Sequence, residues 1–144
     1  MINAIKKYNR LASSEKKLFF ESLFLSFKIR FLIKFYSMKK YAHKLGTENK
    51  LSDNIEAAEI EKLKPFIASI KRVSRYSFWR TKCFEEAFAL KKLIEKRGYT
   101  STIYFGVAKE ESNSLKAHAW LKIGDAVIIG GRGHKQYTVT KFFT

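Results

Sequence analysis

The sequence predicts an α+β domain in which helices come first and a small antiparallel sheet follows. Three observations predict it. Apolar residues recur at helical spacing from Leu18 to Tyr36 and again from Cys83 to Ile94. After Gly98 the period becomes two, with Ile103, Phe105 and Val107 alternating with Thr102, Tyr104 and Gly106. A hairpin signal at Gly124-Asp125 then separates two further strand-like runs. A run of helices followed by a run of strands, rather than their alternation, is the pattern of an α+β fold. The chain divides near residue 50 into an N-terminal helical segment, 1–50, and a core, 51–144.

Each element has its own signal. Ser13 and Ser14 offer N-caps for one long helix toward Leu45, with Gly46 as its stop. That helix carries two apolar stripes. Phe20, Phe24, Phe27, Phe31 and Phe35 make one, and Leu18, Leu25, Ile29, Leu32 and Tyr36 the other. Ser22, Ser26, Arg30 and Lys34 take the opposite side. Two stripes call for two packing partners, expected within the protein. The alternative is that one stripe meets a partner protein or a membrane surface. Asp53 with Glu56 resembles a capping box opening a short helix to about Lys62. Pro65 is expected to end that helix and begin another bearing Phe66, Ile70 and Val73. Residues 75–80 read as an approach loop.

Thr81 is the expected N-cap of the next helix. Glu85 and Glu86 suit its positive end, Lys96 and Arg97 its negative end, and Gly98 ends it. Cys83, Ala87, Leu90 and Ile94 fall on one stripe. After the first strand, Lys109 to Leu115 is a polar loop. Ala117, Ala119, Leu121 and Ile123 share one face of the next strand, and His118, Trp120 and Lys122 the other. Ala126 to Ile129 returns, Gly130 to Gln136 is a glycine-rich loop, and Tyr137 to Phe143 is a last strand, completing an antiparallel meander.

Composition narrows the classes. The chain has 144 residues, 46% apolar, enough for a packed core. Its formal charge is +16, from 29 Lys and Arg against 13 Asp and Glu. Such a balance suits an acidic peptide, a nucleic acid or an anionic membrane. One cysteine excludes an internal disulfide and a cysteine-rich zinc site. No secretory pattern opens the sequence, and Glu21, Lys28, Arg30 and Lys34 interrupt the most apolar stretch. A cytoplasmic, reducing location is the expectation. His43 and His134 are scattered and make a poor metal site. Gly130, Gly131 and Gly133 lack phosphate-loop spacing, so no cofactor is expected.

The chemistry-bearing pair is Cys83, at a helix start, and His118, on a strand. The thiolate is the reactive form of cysteine, and a helix N-terminus favours it. The amides there can also bind an oxyanion. A histidine in reach forms the ion pair and later protonates a leaving amine.

The order Cys83-Phe84, Leu90 and Leu93, Arg97-Gly98, Gly106-Val107, Ala117-His118-Ala119-Trp120 and Gly124-Asp125 resembles the lasso-peptide maturation proteases. These are leader peptidases of the transglutaminase-like, papain-like cysteine fold. The resemblance spans residues 59–143. It implies that residues 51–144 are a transglutaminase-like cysteine peptidase core, with Cys83 as nucleophile and His118 as base. It implies a precursor peptide as substrate, and a leader-recognition protein and an ATP-dependent macrocyclase as partners. The family places an acid about a dozen residues after the histidine, where this chain has Gly130-Gly131. Asp125 cannot replace it, because at ~3.3 Å per residue it lies roughly 20 Å along the strand. A carbonyl of the 130–136 loop or the side chain of Gln136 is the expected orienter of His118. Two competing readings are a non-catalytic papain-like module binding a peptide or protein, and a nucleic-acid-binding protein. The latter has the charge but no binding motif.

Overall fold

In the computed structural model, which describes residues 2–79 and 81–144, five helices precede a four-stranded antiparallel sheet. The helices are α1 (Ile2–Asn9), α2 (Ser13–Phe35), α3 (Met38–Leu45), α4 (Ala57–Tyr76) and α5 (Cys83–Glu95). The strands are β1 (Thr102–Lys109), β2 (Leu115–Ile123), β3 (Ala126–Ile129) and β4 (Thr138–Phe143), with a 3-10 turn at His134–Gln136. Together they make the α+β fold that the change of period predicts. The strand order is β3-β2-β1-β4. The meander therefore stops at β3. The expected fourth step is corrected, because the glycine-rich loop carries β4 across to pair with β1.

The core joins both parts of the chain. Ile29 from α2, Tyr41 and Leu45 from α3, and Leu63 and Ile70 from α4 pack with Phe88, Leu90, Leu93 and Ile94 of α5. Ile103, Leu121, Ile123 and Phe143 complete it from one face of the sheet. α5 lies centrally, against α2 and α4 on one side and mainly β2 on the other.

Several helix boundaries differ from the sequence expectation. The single helix to Leu45 is two helices, since Tyr36 and Ser37 are both extended (ψ 145° and 154°). The break turns Tyr41 and Leu45 into the core, a tertiary gain that local propensity does not register. Ala12, not a serine, precedes α2, and the Glu15 carboxylate accepts the Ala12 amide at 3.1 Å. The serine side of α2 is its buried side. Ser22 is fully buried and shares a 2.8 Å hydroxyl hydrogen bond with Ser69 of α4. Small, mutually satisfied hydroxyls let the two helices approach closely, so polarity there marks an interface and not solvent. Of the expected approach loop, residues 75 and 76 are still helix and Arg80 lies outside the described residues.

The predicted break at Pro65 does not occur, and α4 runs through it. Pro65 sits on the exposed side, as does Glu61, whose carbonyl loses its partner to the ring and meets water. Leu63, Ser69, Ile70 and Val73 hold the helix from the buried side. Asp53 caps nothing here, and Glu56 is the N-cap residue. Replacing Pro65 by alanine should raise stability by about 1–2 kcal/mol, the restored helix bond outweighing the freer unfolded chain. Denaturant unfolding of the variant measures this, and a loss of stability would mean that the ring packs usefully.

Candidate active site

The start of α5 is fixed by charge. Glu85, 4% exposed, accepts hydrogen bonds from Arg30 of α2 at 3.0 and 3.3 Å. Glu86 pairs with Lys71 of α4 at 2.7 Å and accepts the Ser74 hydroxyl at 2.6 Å. Both acids also sit at the positive end of the helix dipole. Thr81 is not the cap. Its hydroxyl donates to Ser74 at 2.5 Å, and Lys82 takes the N-cap position with no side-chain capping bond. Among the described residues, the first amides of α5 thus have no side-chain cap, beside Cys83 as the first helical residue. Ala87, Leu90 and Ile94 of the same stripe are fully buried, whereas the thiol is half-buried.

His118 is held from the other end of the sequence. Its Nε2 lies 2.7 Å from the Gly130 carbonyl. A carbonyl only accepts, so Nε2 carries the proton, and the neutral ring presents an unprotonated Nδ1. Gly130 stands where the resembled family places its acid. It reaches β2 because it is glycine. With φ at 79°, a Cβ there would fall 2.7 Å from the Ala119 carbonyl oxygen and 2.9 Å from Trp120 Cα. The hairpin register supports this approach. Ile123 pairs with Ala126 and Lys122 with Val127, then a bulge brings Leu121 opposite Ile129. That slip differs by one residue from a regular two-residue hairpin, which would set His118 opposite Gly131.

Aromatic rings enclose the imidazole. Trp120 lies 5.8 Å away, stacked, and Tyr137 5.0 Å away, centre to centre. Trp120 is 3% exposed and stacks in turn on Tyr104 at 5.6 Å. Gly106, opposite His118, leaves room for this, since a Cβ there would come within 2.9 Å of Trp120 and 2.8 Å of Tyr137. Excluding water in this way strengthens the Nε2–carbonyl bond. The sequence expectation places Gly106 and Tyr137 in strands and gives neither a role at the site. The one available signal was a lone glycine inside a strand, which marks close approach by another group.

Both candidates lie at the same end of the layer. Phe84 packs edge-on against Phe105 at 4.9 Å, and Phe105 pairs with Ala119, the neighbour of His118. At the far end of α5, Lys91 donates to the Ser101 carbonyl at 2.6 Å, just before β1. α5 therefore runs parallel to β2, with Cys83 at the His118 end. Sheet face separates them. Phe105, Ala119, Ile103 and Leu121 point toward α5, while His118 shares the opposite face with Trp120 and Tyr104. No hydrogen bond joins the Cys83 sulfur to the His118 ring among the described residues. β3 ends at Ile129, so the edge of β2 beside His118 carries no strand partner.

The remaining candidates sit elsewhere. Among the described residues Gln136 makes no side-chain bond to His118, and its backbone N–H donates to the Gly133 carbonyl at 3.1 Å. Asp125 is exposed at the hairpin tip, its amide bonded to Asn54 Oδ1 at 2.8 Å. His134 bonds the Gly131 carbonyl through Nδ1 at 2.6 Å, and His43 is exposed on α3. Among the described residues, no group of three metal-ligating side chains is gathered.

With this geometry in hand, a family model described as the transglutaminase-like superfamily matches residues 25–141, helices and sheet together. No curated protein and no solved structure gave a match.

Proposed function

The chain belongs to the transglutaminase-like superfamily, and on that premise we propose that it is a cysteine peptidase. Its substrate is a ribosomally made precursor peptide, whose leader it removes during lasso-peptide biosynthesis. The observation that supports this best is the bond from His118 to the Gly130 carbonyl, which sets the tautomer a base requires. The reaction requires Cys83 and His118 to come together around the edge of β2 that β3 leaves open. Nδ1 takes the thiol proton, and the sulfur attacks the scissile carbonyl. The first amides of α5, free of a side-chain cap, receive the developing oxyanion. The imidazolium returns its proton to the departing amine. Water then attacks the thioester, its proton passing to His118, and the leader acid departs as the thiolate reforms.

The carbonyl carries no full charge, so it stabilises the imidazolium less than a carboxylate would. The excess of 29 basic over 13 acidic residues suits an acidic segment in the precursor. A leader-recognition protein delivers the substrate, an ATP-dependent macrocyclase takes the product, and the reaction belongs to the cytoplasm where precursors are made. Among the described residues, no helix is long and apolar enough to cross a membrane.

The test uses the single cysteine. Precursor peptide and leader-recognition protein are incubated with the chain before and after iodoacetamide treatment, and the products are weighed by mass spectrometry. Two fragments before alkylation and intact precursor after it are expected. Undiminished cleavage by the alkylated protein would end the peptidase reading. Tight binding of uncut precursor by untreated protein would establish a second reading, a peptide-binding module. The missing bond between Cys83 and His118 favours that alternative.

A further inference from the structure

The fold leaves one apolar stripe of α2 largely exposed. Phe20, Phe24, Phe27, Phe31 and Phe35 are between 51% and 66% exposed, and Phe78, in the turn before α5, is 93% exposed. Phe27 meets Trp79 at 6.0 Å, so the stripe and the turn form one aromatic face with a groove of about 530 Å³ between them. An exposed apolar surface of this extent marks an interaction site.

Charge identifies the occupant. Lys28 lies over the Phe24 ring at 5.4 Å, Lys34 over Phe35 at 5.6 Å and Lys40 over Tyr36 at 5.7 Å. Beyond Phe19 and Tyr76 the groove continues into a second hollow of about 690 Å³. That hollow holds Lys7, Lys71, Arg72 and Arg75 and no acid. Lys71 and Arg72 also hold Glu86 and Glu15. The acid on the α2 turn beside Phe20, Glu21, is bound by Arg97 at 2.7 Å and Lys96 at 3.3 Å. Rings that enter an apolar layer, with ammonium groups at their rim, describe an interfacial helix that lies in a bilayer surface. A second copy of the chain would bring cation against cation, which opposes self-association through this face.

We propose that the exposed phenylalanine face of α2, with Phe78 and the basic hollow beside it, docks on an anionic lipid bilayer. The rings enter the headgroup boundary, and the hollow meets lipid phosphates. This brings the segment that precedes α5 in sequence to the membrane surface. The inference does not rest on the peptidase reading.

Sedimentation of the full chain with vesicles tests it, comparing phosphatidylcholine alone with phosphatidylcholine containing phosphatidylglycerol. Binding to the anionic vesicles, weakened but not abolished by added salt, is expected. Phe24→Ser, Phe31→Ser and Phe78→Ser should each reduce partitioning roughly tenfold, because each ring is withdrawn from the apolar boundary. All three are exposed, so circular dichroism and melting should stay unchanged. Protein alkylated at Cys83 should bind as before, which separates this result from any failure of the peptidase reading. Equal binding to the two vesicle types, or binding indifferent to the three variants, would overturn the proposal. So would an absence of vesicle binding, and a dimer or nucleic-acid complex that the double variant Phe24→Ser/Phe31→Ser dissolves would then name the occupant instead.

Discussion

Replacing Cys83 by alanine should lower precursor cleavage by at least about 10⁴-fold, because nucleophile and base act as one unit. His118→Ala should fall by a similar factor, and the double variant little further, since each loss already removes the shared step. Neither change should unfold the protein. Cys83 and His118 are only half-buried, and neither belongs to the cluster around Leu90 and Leu93. Asp125→Asn is the matched control and should retain nearly full activity, because the hairpin-tip bond there uses the Asp125 amide and not its side chain. Single-turnover cleavage followed by mass spectrometry reads all four. Activity surviving in Cys83→Ala would remove the nucleophile assignment. Collapse of Asp125→Asn with an unchanged melting curve would bring that carboxylate into the site.

Gly130 gives the second large effect. An alanine there must adopt φ near 79° with its Cβ 2.7 Å from a backbone oxygen that cannot swing aside. The conformational cost and the clash together should destabilise the fold by roughly 2–4 kcal/mol. The carbonyl would also move from His118 Nε2, so cleavage should fall at temperatures where the variant remains folded. Gly130→Asp meets the same backbone and should lose activity, although it restores an acid at the position the family uses. Gly131→Ala is the control, since its Cβ meets only the Val127 side chain at 3.1 Å, which can yield. Denaturant unfolding with parallel cleavage assays decides this. A folded Gly130→Asp protein with raised activity would show that a carboxylate fits where the carbonyl now sits.

Much of the fold was legible because its signals are local. The alternation from Thr102 to Val107 and the Gly124-Asp125 turn depend on neighbours in sequence, and β1, β2 and β3 stand where these place them. Cys83 at a helix start was legible for the same reason. What was not legible depends on distant partners. No glycine or proline breaks the chain at Tyr36-Ser37, and only the core that receives Tyr41 and Leu45 accounts for that turn. Pro65 is a strong breaker by propensity, yet its solvent-facing position lets packing at Leu63 and Ile70 prevail. The stripe from Phe20 to Phe35 reads as core by hydropathy, and its exposure appears only once every other helix has taken its place. The partner of His118 was legible as a loop carbonyl but not as Gly130, because a bulge at Leu121 sets the register.

The crossing of β4 to β1 has a kinetic consequence. Its closing contacts join parts of the chain that lie far apart in sequence. Thr47 and Thr144 exchange amide bonds at 2.7 and 3.0 Å, and the Thr144 hydroxyl reaches the Lys50 carbonyl at 2.6 Å, 94 residues away in sequence. Closing a loop of that length is slow compared with joining neighbouring helices. The helical layer and the β1–β3 meander can assemble while β1 still offers an unpaired edge carrying Ile103, Phe105 and Val107. During that interval the edge can template a strand from another molecule, as any long apolar edge does. Refolding should accordingly lose more protein to aggregation as concentration rises, and the arrival of β4 is the event that ends the exposure.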